Sequence, residues 1–153
     1  MNFTDFKKAL KKPANQIVFV GLGNKARGDD AAGLLFLDEL KKRMEFRAAN
    51  FIEAKTNPEN YLERILELHP ELVVFIDAAN VGKAPGDMGW IDKDGLDTAR
   101  ISTHAFNITM VEEYLKTHQA LEVKYFGIRP ATTSVGHPVS DVVKGKIEMF
   151  FAI

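Results

Sequence analysis

Residues 17–33 read Ile17-Val18-Phe19-Val20-Gly21-Leu22-Gly23-Asn24-Lys25-Ala26-Arg27-Gly28-Asp29-Asp30-Ala31-Ala32-Gly33. An unbroken apolar run that ends in a Gly-x-Gly turn predicts a strand buried on both faces that hands over to a helix, the opening unit of a parallel sheet. Such a turn ordinarily prepares a helix N-terminus for an anion. Here two carboxylates, Asp29 and Asp30, stand a few residues beyond the turn. Carboxylates prepare the same corner for a cation.

Outward from this corner, strand and helix patterns alternate. Residues 3–11 suggest a short amphipathic helix, and Gln16 to Leu22 the first strand. From Asp30 the apolar positions Leu34, Leu35, Leu40 and Met44 recur at helical spacing, followed by a second strand around Phe46 to Ala54. Thr56-Asn57-Pro58-Glu59-Asn60 has turn composition, and Tyr61, Ile65, Leu66 and Leu68 mark a helix that His69-Pro70 should stop. Glu71 to Ile76 is a third strand ending in Asp77; Met88 to Ile91 and Val123 to Ile128 are the remaining two. Helices are expected from about Ala105 to Thr117 and from Val139 to Phe151. The alternation predicts a three-layer α/β/α fold with a mostly parallel twisted sheet of about five strands and right-handed crossovers. Strand order is not legible.

The chain has 153 residues, 46% of them hydrophobic, and a formal net charge of -1. That length supports one core, so residues 1–153 are expected to form a single domain. Near-neutral charge gives no whole-chain attraction to nucleic acid or an anionic membrane, and neither is expected as a partner. Cysteine is absent, which removes disulfides, thiolate metal sites and cysteine nucleophiles together. Any metal site must use His, Asp or Glu. No long uncharged apolar run offers a signal core or a membrane span, and a cytoplasmic protein is expected.

In open α/β sheets ligands gather beyond the carboxyl ends of the strands. Asp30 follows the first strand, Asp77 ends the third, and His104 lies between the fourth strand and the next helix. Carboxylate oxygen and imidazole nitrogen together suit nickel, zinc, manganese or iron, and three protein ligands leave coordination positions open. Each residue also has an ordinary reading. Asp30 can cap a helix, Asp77 can be a turn residue, and His104 can serve a helix entry beside Ser102 and Thr103. Asp29 can act as a general base, orient a metal ligand, or simply face solvent. Gly21-x-Gly23-x-x-Ala26 satisfies a loose dinucleotide fingerprint. A pyrophosphate on that turn would, however, meet the two aspartates. Walker A, His-Glu-x-x-His and Gly-x-Ser-x-Gly patterns are absent from the sequence. His69, His118 and His137 have structural contexts, and Phe3, Phe6, Phe150 and Phe151 are expected to pack the core. The loop from Arg129 to Pro138 shares the predicted edge with the acids.

Taken in order, Gly21-x-Gly23-Asn24 with Asp29-Asp30-x-x-Gly33, Thr56-x-Pro58-Glu59-Asn60, Val74-Phe75-Ile76-Asp77-Ala78, Ser102-Thr103-His104, and Gly127-Ile128-x-Pro130 with Gly136 form five blocks across nearly the whole chain. This series resembles the motifs of the hydrogenase maturation proteases, nickel-dependent endopeptidases of [NiFe] hydrogenase assembly. The resemblance implies removal of a C-terminal extension from the precursor of a hydrogenase large subunit after nickel insertion. The nickel would be carried by the substrate and recognised by two acids and a histidine, here Asp30, Asp77 and His104. A second histidine that the family often has directly after the first is replaced by Ala105. Asp29 is the candidate for handling protons. Two other classes share the same edge: a non-catalytic metal- or nucleotide-binding module, and a metal-dependent hydrolase of small molecules.

Overall fold

In the computed structural model, which describes residues 1–99 and 108–152, the apolar run forms β1 (Ile17–Leu22), buried at every position. The other strands are β2 (Asn50–Lys55), β3 (Leu72–Ala78), β4 (Met88–Ile91) and β5 (Glu122–Ile128). They form one sheet in the order β2-β1-β3-β5-β4. Only the β4–β5 pair among them is antiparallel. The predicted mostly parallel, five-stranded sheet is therefore present, and β4 is able to pair antiparallel because it follows β3 at the far edge without the full crossover that a parallel neighbour needs.

Two apolar layers cover the sheet. On one face, α1 (Phe3–Ala9), α2 (Ala32–Lys41) and α6 (Asp141–Phe151) pack against Ile17, Phe19, Val74, Ile76 and Phe126. On the other, α3 (Leu62–Glu67), α4 (Leu96–Ala99) and α5 (Ile108–His118) cover Val18, Val20, Val73, Phe75 and Tyr125. Alternate residues of β1 and of Leu72 to Ile76 in β3 feed opposite layers, which explains why both stretches lack polar positions. Phe3, Phe6, Phe150 and Phe151 are all buried, as expected, and Phe6 lies within aromatic contact of Phe19, Phe36, Trp90 and Phe126.

The boundaries of α2 and β2 differ from the sequence expectation. The helix expected from Asp30 begins at Ala32, because residues Gly28–Ala31 form a 3-10 turn. Met44 is 76% exposed and lies outside α2, while Phe46, expected in β2, sits in the same 3-10 turn as Met44. The cause is packing: Phe46 reaches the core edge-on to Phe19, with ring centroids 5.0 Å apart. Turning the chain to bury that ring leaves Met44 facing out. The short 3-10 turn Lys93–Gly95 and α4, which follow β4, carried no helical periodicity long enough to be legible.

Candidate functional site

The first corner is built by close approach of backbone to backbone. Gly23 has φ +138°, and a Cβ there would collide with the carbonyl oxygen of Asp30. A Cβ at Gly33 would lie 2.5 Å from the Ile76 carbonyl oxygen and 2.9 Å from Asp77 Cα. The start of α2 therefore rests directly on the end of β3. Because β1 and β3 are paired neighbours, with Gly21 opposite Ile76, the turn carrying Asp30 and the strand end carrying Asp77 share one edge.

Asp30 is 0% exposed, and its Oδ2 accepts a hydrogen bond from the Asn24 N–H at 3.0 Å. The alternative reading as a cap of α2 does not hold: the residue before α2 is Ala31, with no side-chain capping bond. It also takes an amide of the glycine turn that a pyrophosphate would need, which weakens the dinucleotide reading. Asp77 is 9% exposed and lies within β3 rather than in a turn; its Oδ1 accepts the Ala78 N–H at 2.8 Å. Its side chain borders a small cavity of about 20 Å³ with Leu22, Phe75, Ile108 and Tyr125. His104 lies outside the described residues. The described residues thus supply two buried carboxylates at one strand edge, and among them no cluster of three metal-binding side chains occurs. Oxygen donors from two acids completed by one imidazole would suit a divalent first-row metal.

Asp29 is also 0% exposed, which removes the reading as a solvated neighbour. Its Oδ2 accepts the N–H groups of Ala131 (2.8 Å) and Thr132 (3.2 Å) and the Ser140 hydroxyl (2.8 Å), while Oδ1 accepts the Ser140 N–H (2.6 Å). A carboxylate offers about four acceptor positions, and these four donors occupy them. Backbone bonds extend the clamp: Gly28 N–H to His137 O (2.8 Å), Asp29 N–H to Thr132 O (2.8 Å) and Gly136 N–H to Ala26 O (2.7 Å). The geometry makes Asp29 a fastener of the loop at 131–140. His137 is exposed within that loop.

Charges around the edge are arranged in local pairs. Lys25, in the corner loop, meets Glu53 of β2 at 2.6 Å, and this hydrogen bond holds Lys25 above the ordinary lysine range and Glu53 below the ordinary carboxylate range. Asp87 lies below that range because the Ala84 and Lys83 N–H groups bond its Oδ2. Arg129 donates to the carbonyls of Val81 (2.7 Å) and Gly82 (3.1 Å), tying the loop after β3 to the end of β5. Sequence reasoning missed Glu112, which is 2% exposed and accepts a 2.6 Å bond from the Tyr125 hydroxyl. Burial pushes its carboxyl up, but bonds from Tyr125, Lys116 and Lys93 outweigh that and hold it below the ordinary range. The i,i+4 spacing to Lys116 was its one visible signal. His69 and His118 precede β3 and β5, at the opposite edge of the sheet.

Residues 35–153 match the family described as hydrogenase maturation protease. The chain belongs to that family. The hydrogenase 3 maturation protease of Escherichia coli is 27% identical over 135 residues, which cover 88% of this chain and 85% of that protein. The crystal structure of the [NiFe] hydrogenase maturation protease HycI from Thermococcus kodakarensis superposes with a TM-score of 0.76 at 30% identity, covering 88% of this chain and 86% of that one. The solution structure of the endopeptidase HycI from Escherichia coli gives 0.73 at 28% identity, covering 87% and 85%. The five-stranded α/β architecture is thus that of hydrogenase maturation proteases. The family match begins beyond Asp29 and Asp30 but includes Asp77, the position of His104, and the loop that Asp29 fastens. Among the described residues no helix is long and apolar enough to cross a membrane.

Proposed function

We propose that this hydrogenase maturation protease is an endopeptidase that removes the C-terminal extension of a [NiFe] hydrogenase large-subunit precursor once nickel has been inserted. The observation that carries the reading is the placement of Asp30 and Asp77, both buried carboxylates, at one strand edge in a chain of this family. In this reading Asp30, Asp77 and His104 recognise nickel that arrives with the precursor, and the remaining ligands are the precursor's own. An incomplete protein site is suited to that task, since it leaves positions open for the incoming partner. Recognition then positions the extension, water adds to the scissile carbonyl, the C–N bond breaks, and the leaving amine takes a proton. Asp29 contributes by holding the 131–140 loop beside the corner.

The test is to mix the purified protein with precursor prepared with and without nickel and to follow precursor mass. A single C-terminal cut restricted to the nickel-loaded form is expected. Binding of the loaded precursor without any cut would favour the non-catalytic module, and equal cutting of both forms would remove nickel from the reading.

A further inference from the structure

One side of the sheet ends in β4, and the outer backbone of that strand is unpaired. The Arg129 N–H bonds the Asp87 carbonyl at 2.8 Å, and with Gly89 opposite Gly127 and Ile91 opposite Tyr125 this phase of the ladder turns the amides and carbonyls of Gly89 and Ile91 toward β5. The N–H and C=O groups of Met88 and Trp90 therefore point away from the sheet, and they have no hydrogen-bond partner among the described residues. Every residue of β4 is half-buried rather than closed off. A Cβ at Gly89 would meet nothing within 4 Å. Beside it lies an open groove of about 650 Å³, bordered by Val81, Gly82, Trp90, Asp92 and Asp94.

The opposite edge strand, β2, carries Glu53 and Lys55, and Lys25 pairs with Glu53. Charges of this kind guard a sheet edge against added strands. Met88-Gly89-Trp90-Ile91 carries none. Charge begins just past β4, where Asp92 and Asp94 are exposed and make no ion pair among the described residues. The nearby cations are engaged elsewhere: Lys93 meets Glu112 at 3.2 Å, and Lys124 lies over the Trp90 ring at 5.0 Å. That end of the groove is therefore acidic. An occupant that pairs with the strand and suits this end is an extended segment with a cationic side chain.

We propose that the outer edge of β4 is the docking strand for the precursor of the endopeptidase reading above. An extended precursor segment adds to it through the Met88 and Trp90 backbone groups, with a lysine or arginine of that segment beside Asp92 and Asp94. Asp77 is paired with Gly127, and Gly127 with Gly89, so the three lie on one line across the sheet. A strand added outside β4 would stand three spacings, or about 14 Å, from β3. An extended chain covers that distance in about four residues. A precursor held on β4 thus delivers the adjoining stretch of its chain to Asp77. Main-chain bonds supply affinity in this mode, and the flanking charge selects the segment.

The experiment measures cleavage kinetics of the nickel-loaded precursor, thermal melting and sedimentation for wild type, Met88→Ala, Met88→Pro and the double variant Asp92→Asn/Asp94→Asn. Both Met88 variants lose the same side chain. Only proline also removes the outward N–H, and it does so at the first residue of a strand, where proline is tolerated. Met88→Pro is expected to show a KM about tenfold above that of Met88→Ala, with kcat within about twofold and similar melting temperatures. The aspartate double variant is expected to raise KM about fivefold at low salt, with the gap to wild type narrowing as salt is added. Asp92 makes no side-chain capping bond, so this variant keeps the test open even if proline disturbs β4. Equal KM in the two Met88 variants, or a wild-type KM in the aspartate variant, overturns the proposal. A wild-type dimer that Met88→Pro dissociates with cleavage unchanged also overturns it, and gives the edge to a second copy of this chain. If wild-type protein leaves the loaded precursor intact, the endopeptidase reading falls and takes this docking role with it, an outcome distinct from an unaltered KM in a working enzyme.

Discussion

Asp29 and Asp30 are consecutive, equally buried and chemically identical, yet their hydrogen bonds go to different places. Asp29 accepts from donors on Ala131, Thr132 and Ser140, whereas Asp30 accepts from the Asn24 N–H within the same corner. Asp29→Ala should therefore be mainly a stability variant, losing about 3 kcal/mol in urea unfolding because several donors lose their acceptor at once. Asp30→Asn should be mainly an activity variant, with precursor cleavage lost and unfolding changed by less than about 1 kcal/mol, since no helix cap depends on it. Equal losses of stability in the two variants would contradict this division. The pair of acids was legible in the sequence, and so was their proximity to a strand end. Which acid fastens a loop was not, because the donors lie 102 to 111 residues away along the chain.

At the scale of elements, the contact between the start of α2 and the end of β3 holds the edge together. Gly33→Ala pits two effects against each other. Alanine favours a helix over glycine by about 1 kcal/mol, but its Cβ would sit 2.5 Å from the Ile76 carbonyl oxygen and 2.8 Å from that of Leu22. Backbone oxygens cannot rotate away, so the clash should win by about 1–3 kcal/mol net destabilisation, measurable by urea unfolding, with cleavage reduced as α2 is pushed off β3. The α5–β5 contact gives a pH test. Glu112 lies below its ordinary value of 4.5 through Tyr125, Lys116 and Lys93 acting against burial. A depressed acid stabilises the fold above its unfolded value, and that contribution disappears as pH falls through the folded value. Glu112→Gln should therefore be less stable than wild type at pH 7, with the gap closing as pH drops below 4.5. A gap that is constant across that range would show that the lost stability is packing rather than charge.

At the scale of the whole molecule, the strand edge is expected to be an incomplete metal site that the precursor completes. Treating the protease and the nickel-loaded precursor with chelator in separate tubes, then removing the chelator and mixing, should separate the two sources of metal. Cleavage is expected to survive stripping of the protease and to fail after stripping of the precursor. The reverse pattern would make nickel a resident of the protease. The isolated protein should accordingly bind divalent nickel weakly by calorimetry, and His104→Ala should abolish cleavage without unfolding the chain.

Local pattern by itself determined the two-sided burial of β1 and β3, the alternation of strands and helices, the aromatic packing of both chain ends, and the corner at Asp29 and Asp30. These are legible because burial and periodicity are written in neighbouring residues. Tertiary structure decided the order β2-β1-β3-β5-β4, the antiparallel placement of β4, the outward turn at Met44, and the division of labour between the two aspartates. The physical reason is common to all of these. Each depends on which distant groups meet in space, and a carboxylate's role is set by the donors that reach it rather than by the residues beside it in the chain.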